Sequence, residues 1–149
     1  MEVGEVVDEF QSKDLSGSEK KITCPGDDCK RVFLFFKTTC TYCEKQMAFW
    51  KSLVSQIDDR NYRVTAITAE SDAQAIKDYM KSHEIDNWEV LTIKPEDAQK
   101  AKLLVTPITF VTDNRGTIER VWIGLWQPRD ADSASSYFSI SSLSTANPN

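Results

Sequence analysis

The sequence lacks the features that mark membrane-bound and nucleic-acid-binding proteins. No apolar run approaches the roughly 18 residues of a membrane span, and no apolar segment follows Met1 as it would in an export signal. Lysines and arginines form no cluster and the net charge is −5, which argues against nucleic acid or an anionic membrane as a partner. Proteins or small thiols are therefore the expected partners. If the natural protein is exported, its signal or anchor is expected to lie outside this sequence.

The chain of 149 residues is expected to form a single domain over residues 1–149. A chain of this length buries roughly 68 to 70% of its unfolded surface, so no second domain is needed. Its apolar residues alternate between the periods of strands and helices, which is typical of an α/β protein. The predicted strands are 19–23, 31–36, 62–68, 88–93, 108–112 and 117–123, and the predicted helices are 41–58, 71–83 and 95–103. Turns over 24–29 and 113–116 would join the first two and the last two strands, and Ser71 with Gln74 would cap the second helix.

Two cysteines separated by two residues, Cys40 and Cys43, follow a strand-like run and open the first predicted helix. At a helix start this spacing puts both side chains on one face, within the roughly 4.4 to 6.8 Å Cα separation that a disulfide tolerates. Cys40 would face unpaired backbone N–H groups and the positive end of the helix dipole, which favour its thiolate. We therefore predict a redox-active pair in which Cys40 is the nucleophile and Cys43 the resolving thiol.

A second cysteine pair, Cys24 and Cys29, flanks a turn with Pro-Gly near its middle. We predict a structural disulfide, because a tight turn brings facing positions together and two cysteine pairs suit an oxidising compartment. Three alternatives stay open: a second redox pair that exchanges with the first, free thiols, and a zinc site of all four cysteines in a non-catalytic interaction module. The zinc site is disfavoured, because each pair flanks or follows apolar strands of a chain that can build its own core.

The C-x-x-C motif and the later run Val105-Thr106-Pro107-Ile108-Thr109-Phe110 together resemble the thioredoxin superfamily. The resemblance is greatest to the TlpA/ResA-like branch of extracytoplasmic thiol-disulfide oxidoreductases and covers roughly residues 3–126. Residues 127–149 are expected to form either a weak closing helix or a disordered tail. Further marks of this branch are Val3-Gly4-Glu5, Asp14-Leu15-Ser16-Gly17, Phe35-Phe36 before the cysteines and the turn at 113–116.

The resemblance implies a thioredoxin-like α/β fold, with a central mixed β-sheet flanked by helices and an N-terminal β-hairpin extension. It also implies a cis-proline at Pro107 that faces the dithiol, where Thr106 and Pro107 would present backbone to an extended partner segment. Glu70 falls where some of these proteins carry a glutamate near the active site. It either tunes the thiols and exchanges a proton with Cys43, or only stabilises the start of the second helix.

The activity implied by the resemblance is protein-disulfide oxidoreduction without a metal or other cofactor. Such an enzyme would reduce protein disulfides in the periplasm or an equivalent compartment and receive electrons from an upstream thiol-disulfide donor. Three positions depart from the family: Thr39 replaces a common Trp, Tyr42 a common Pro, and Leu34 the buried Asp of cytosolic thioredoxins. Tyr42 is similar to the C-x-Y-C centres of glutaredoxins and disulfide isomerases, so an oxidase- or isomerase-like activity of the same site stays open.

Overall fold

The computed structural model describes residues 1–24, 26 and 28–143. In this part of the chain seven strands form one mixed sheet in the order β2-β1-β5-β4-β3-β6-β7, and four helices pack on it. The predicted mixed sheet flanked by helices is therefore confirmed. The elements are Ser12–Lys13 (β1), Glu19–Lys20 (β2), Lys30–Phe35 (β3), Thr41–Gln56 (α1), Tyr62–Thr68 (β4), Ala73–Ser82 (α2), Val90–Ile93 (β5), Pro95–Lys100 (α3), Ile108–Thr112 (β6), Ile118–Ile123 (β7) and Pro128–Phe138 (α4).

Strand β3 lies inside the sheet and leads directly to the C-x-x-C motif. It pairs in parallel with β4 and antiparallel with β6. Its side chains alternate between two apolar cores, with Val32 and Leu34 on one face and Phe33 and Phe35 on the other. Helices α1, α2 and α4 cover the first face, and α3 covers the second. Because β3 is buried on both faces, it is a continuous apolar run in the sequence.

The N-terminal hairpin is present, but its strands differ from the predicted ones. Strand β1 pairs antiparallel with both β2 and β5. Asp14 shapes the connecting turn, because its carboxylate accepts the backbone N–H groups of Ser16 and Ser18. The prediction that strands 19–23 and 31–36 form a hairpin across the 24–29 turn is wrong. Since β4 and β6 occupy both edges of β3, no edge is left for β2.

Two helices differ from their predicted bounds. Helix α2 begins after Asp72 rather than Ser71, and the Asp72 carboxylate accepts the Ala75 N–H at 3.1 Å. Aspartate caps a helix as well as serine does and adds a charge that suits the helix dipole. Helix α3 ends at Lys100, short of the predicted residue 103, and Lys102 has a left-handed backbone with φ of 60°.

Helix α4 occupies the segment predicted as a weak helix or a tail. At its start the Asp130 carboxylate accepts the Gln127 backbone N–H at 2.8 Å, and the Asp130 N–H donates to the Gln127 carbonyl oxygen. The core therefore extends beyond its expected limit at residue 126, through the buried side chains Ala131, Ala134, Phe138 and Leu143. Residues 144–149, which the tail prediction includes, lie outside the described residues.

Candidate active site

The dithiol lies at the junction of β3 and α1. Cys40 is the N-cap residue of α1, and its sulfur accepts the Cys43 backbone N–H at 3.2 Å. This position supplies the unpaired N–H groups and the helix dipole expected from the sequence. Cys40 is partly exposed, whereas Cys43 is completely buried. A partner disulfide can therefore reach Cys40 first, which favours the predicted order of attack.

The predicted cis-proline lies beside the dithiol. The Thr106–Pro107 peptide bond is cis. Strand β6 begins at Ile108, which pairs with Phe35 at the end of β3, so the residues before β6 stand next to the loop after β3. The Cys40 thiol donates a hydrogen bond to the Thr106 carbonyl oxygen at 3.5 Å. The backbone before the cis-proline therefore contacts Cys40 directly.

The two thiols have opposite electrostatic surroundings. Burial raises the pKa of Cys40, but hydrogen bonds from the side chains of Cys43 and Thr106 and from the backbone N–H groups of Cys43 and Tyr42 outweigh it and hold that pKa below its usual value. Burial raises the pKa of Cys43 to about 12, and the neighbouring Cys40 sulfur adds to the rise. At neutral pH the thiolate is therefore concentrated on Cys40.

Glu70 contacts the loop that leads to the dithiol. Its carboxylate accepts the backbone N–H and the hydroxyl of Thr38, both at 2.7 Å, and the hydroxyl of Thr68 at 3.1 Å. Because Thr38 stands two residues before Cys40, these bonds fix the path of the chain to the nucleophile. Asp72 caps α2, and stabilisation of the start of that helix by the Glu70 charge stays a prediction. Proton exchange between Glu70 and the dithiol stays a prediction.

The second cysteine pair forms the predicted disulfide, Cys24–Cys29, with Cα atoms 5.5 Å apart. It precedes β3, whereas Cys40 follows that strand. The six residues of β3, with a rise of about 3.3 Å per residue, separate the two cysteine pairs by roughly 20 Å. Neither direct exchange within one chain nor a zinc ion shared by four sulfurs fits this separation. Pro25 and Asp27 of the connecting turn lie outside the described residues.

Exposed apolar side chains flank Cys40. Tyr42, inside the motif, is 59% exposed, and Leu104 and Val105, just before the cis peptide bond, are 72% and 52% exposed. We call these three side chains the apolar rim. Large apolar side chains that cluster at a surface mark contact sites for other molecules.

Two residues beside the dithiol carry no distinct signal in the sequence. Tyr79 of α2 is buried, and its ring stacks on Phe36 with centroids 5.4 Å apart. His83 is the C-cap residue of α2, and its Nε2 lies 2.8 Å from the Glu44 carboxylate. In the sequence both residues look like ordinary members of an amphipathic helix, because their spacing of four indicates only a shared face.

Sequence comparison relates this chain to a known family and to thiol-disulfide oxidoreductases. A family model described as the AhpC/TSA family matches residues 3–121. The thiol-disulfide oxidoreductase ResA of Bacillus thuringiensis subsp. konkukian is 27% identical over 119 residues, which cover 79% of this chain and 68% of that protein. The sporulation thiol-disulfide oxidoreductase A of Bacillus subtilis is 23% identical over 118 residues, which cover 77% of this chain and 70% of that protein.

Solved structures share the fold. The thioredoxin domain of a thiol-disulfide oxidoreductase from Bacteroides vulgatus has a TM-score of 0.72 at 12% identity, covering 93% of this chain and 99% of that one. StoA from Bacillus subtilis has a TM-score of 0.61 at 18% identity, covering 89% and 97%. These similarities confirm the predicted thioredoxin-like fold.

Proposed function

We infer that this chain, which belongs to the AhpC/TSA family, is a thiol-disulfide oxidoreductase that reduces disulfides of partner proteins outside the cytoplasm. The observation that carries this inference is the pair of unlike thiols at the start of α1. Cys40 is partly exposed with a lowered pKa, and Cys43 is buried behind it with a raised pKa. Two-step exchange requires this arrangement, because one thiol attacks while the other stays protonated. The names of the ResA and sporulation relatives support the same chemistry.

In the first step the Cys40 thiolate attacks one sulfur of the partner disulfide. A bond forms between the two sulfurs, the partner S–S bond breaks, and the other partner sulfur leaves as a thiolate that takes a proton from solvent. In the second step Cys43 loses its proton and attacks the Cys40 sulfur. This closes the 40–43 disulfide and releases the second partner thiol. Two electrons have then passed to the partner, and an upstream dithiol donor must return them.

The surface around Cys40 supports a protein as the substrate. The apolar rim would contact apolar side chains of the partner, and the backbone at Thr106 and Pro107 would pair with an extended segment of it. A small charged disulfide such as oxidised glutathione would leave the apolar rim uncovered. We therefore place the scissile disulfide of the substrate in an extended, partly apolar segment.

The Cys24–Cys29 disulfide supports an oxidising compartment. Glutathione and thioredoxin keep most cytosolic cysteines reduced, so a structural disulfide is typical of exported proteins. Within the described ranges, none of the helices has both the length and the apolar character needed to cross a bilayer.

Reduction of insulin by the pre-reduced protein tests the proposal. The wild type should cleave insulin disulfides and end with the 40–43 disulfide closed. Cys43→Ser should stop at a mixed disulfide through Cys40, and Cys40→Ser should be inactive. Insulin that stays intact with the wild type, or a mixed disulfide that accumulates with Cys40→Ser instead of Cys43→Ser, would contradict the proposed roles.

The oxidase- or isomerase-like alternative uses the same site and differs in reduction potential. The reduction potentials of C-x-x-C dithiol centres cover a range of about 150 mV, from roughly −270 mV for thioredoxin to roughly −120 mV for a strong oxidant. Equilibration of the protein in glutathione buffers measures the potential. A value near the lower limit supports the reductase, and a value near the upper limit supports the oxidase.

A further inference from the structure

A buried tyrosine hydroxyl beside the dithiol has no hydrogen-bond partner. Tyr79 is 6% exposed, and its Oη is shielded from solvent and has neither donor nor acceptor among the described residues. Buried phenol hydroxyls normally have a partner, and an unpaired one lowers stability. Such a group in a folded protein therefore calls for a functional explanation.

Tyr79 lies between Phe36, which precedes the dithiol motif in the chain, and His83, which pairs with the residue after Cys43. Its ring stacks on Phe36, with planes 19° apart, and Phe36 opens the loop to the nucleophile. Its other ring contact is His83, at 4.3 Å between centroids. His83 in turn pairs with Glu44, which follows Cys43 in the first turn of α1. Tyr79 and Cys43 belong to the same buried cluster.

The exchange mechanism sets a requirement on the buried Cys43 thiol. Cys43 must become a thiolate before it closes the ring, yet burial raises its pKa to about 12. Where cytosolic thioredoxins carry a buried Asp, this chain has the apolar, fully buried Leu34. The Glu70 carboxylate is occupied by Thr38. Hydrogen bonds from the Lys37 backbone and the Thr106 side chain favour the Cys43 thiolate but do not offset its burial. A further donor would therefore ease the formation of that thiolate.

We propose that the Tyr79 hydroxyl donates a hydrogen bond to the Cys43 sulfur as that sulfur becomes a thiolate. This step rests on the exchange function proposed above. The Cys43 proton passes to solvent, the Tyr79 proton stays on its own oxygen, and all electrons move between sulfurs as already described. A neutral thiol is a weak acceptor, so the bond is expected in the charged state and not in the resting dithiol.

The surroundings of Tyr79 keep its own proton in place. Burial raises the pKa of Tyr79, and the nearby acidic groups of the site raise it further. Tyr79 therefore remains a donor throughout the neutral pH range. The titratable and charged groups that face it, directly or through the His83 backbone, are Cys40, Cys43, Glu44, Lys51, Glu70 and His83.

The test is the two-step reaction of the reduced protein with dithiobis(nitrobenzoate). The first thiol released reports attack by Cys40, and the second reports ring closure by Cys43. Tyr79→Phe should leave the first release unchanged and slow the second about threefold or more at neutral pH, with its pH profile about half a unit higher. Tyr137→Phe is the control, since it removes a half-buried hydroxyl that donates to Glu119 at the far end of the sheet. It should change neither release.

Unfolding in urea separates this role from a structural one. Because the Tyr79 hydroxyl is unpartnered, Tyr79→Phe should unfold at the same urea concentration as the wild type or a higher one. An unchanged second release and pH profile would overturn the proposal, as would equal slowing of both releases or loss of the fold. A wild type that gives no second release would refute the exchange function itself.

Discussion

The contact between Glu70 and Thr38 should stabilise the loop that carries the nucleophile. The carboxylate accepts both the backbone N–H and the hydroxyl of Thr38. Hydrogen bonds to charged groups contribute roughly 1.5 to 3 kcal/mol each. Both residues are half-buried, so solvent competes, and we expect about 1 kcal/mol for the hydroxyl bond alone.

A double-mutant cycle isolates that contribution. Glu70→Ala removes the carboxylate, Thr38→Val removes the hydroxyl at constant shape, and urea denaturation gives the free energy of unfolding of each single and double variant. Glu70→Ala should lower that free energy by about 2 kcal/mol, because the bonds from the Thr38 backbone and from Thr68 are lost as well. The coupling between the two substitutions should be about 1 kcal/mol.

The same residues test whether the charge of Glu70 also tunes the thiols. A carboxylate raises the pKa of a nearby thiol by like-charge repulsion. Glu70→Gln should therefore shift the pH profile of Cys40 alkylation downward by about half a unit, while Thr38→Val, which keeps the charge, should not. If the effects of Glu70→Ala and Thr38→Val on the free energy of unfolding simply add, Glu70 does not stabilise the loop through the Thr38 hydroxyl. If the pH profile of Cys40 alkylation is also unchanged in Glu70→Gln, the charge of Glu70 does not tune the thiols either.

The remaining cysteine chemistry is testable on the purified protein. Limiting iodoacetamide at neutral pH should label Cys40 before Cys43, because the Cys40 pKa is lowered and the Cys43 pKa is raised; peptide mass spectrometry that finds Cys43 labelled first would reverse the roles. Replacing Cys24 and Cys29 together with Ser should preserve most insulin reduction and lower the free energy of unfolding by no more than about 2 kcal/mol, whereas an inactive but folded variant would indicate exchange between the pairs. Protein purified without chelator should carry far less than one zinc per chain and keep its circular dichroism spectrum in EDTA; stoichiometric zinc and unfolding on its removal would support the interaction module.

The elements that the sequence predicts well are those in which many residues repeat one period. Strand β4 has the predicted bounds, Tyr62–Thr68, and α1 differs from its prediction only at its end. The family resemblance implies the N-terminal hairpin, but its strand bounds escape prediction because strands of two residues show no period. The turn at 24–29 adds to the error, since its chemistry is the same whether or not the flanking strands pair with each other.

Some residues of the candidate site can be predicted from neighbouring residues in the sequence, whereas others depend on contacts between distant parts of the chain. Cys40 and Cys43 are predictable, because the spacing and the helix start are adjacent in the sequence. The contact of Glu70 with Thr38 depends on a loop conformation that no residue pattern encodes. Tyr79 depends on where α2 crosses that loop, and before the fold is known a tyrosine in an apolar stripe is indistinguishable from core.

The Cys40 sulfur is both the nucleophile and the acceptor that caps α1. A thiolate is a stronger acceptor than the sulfur of a disulfide, so the first turn of α1 is held more firmly in the reduced protein than in the oxidised one. A helix cap contributes about 1 kcal/mol, and for a two-electron couple 30 mV corresponds to about 1.4 kcal/mol. Capping alone therefore makes the centre more oxidising by about 20 mV. A substitution that loosens or tightens the start of α1 would then move the reduction potential without altering either cysteine.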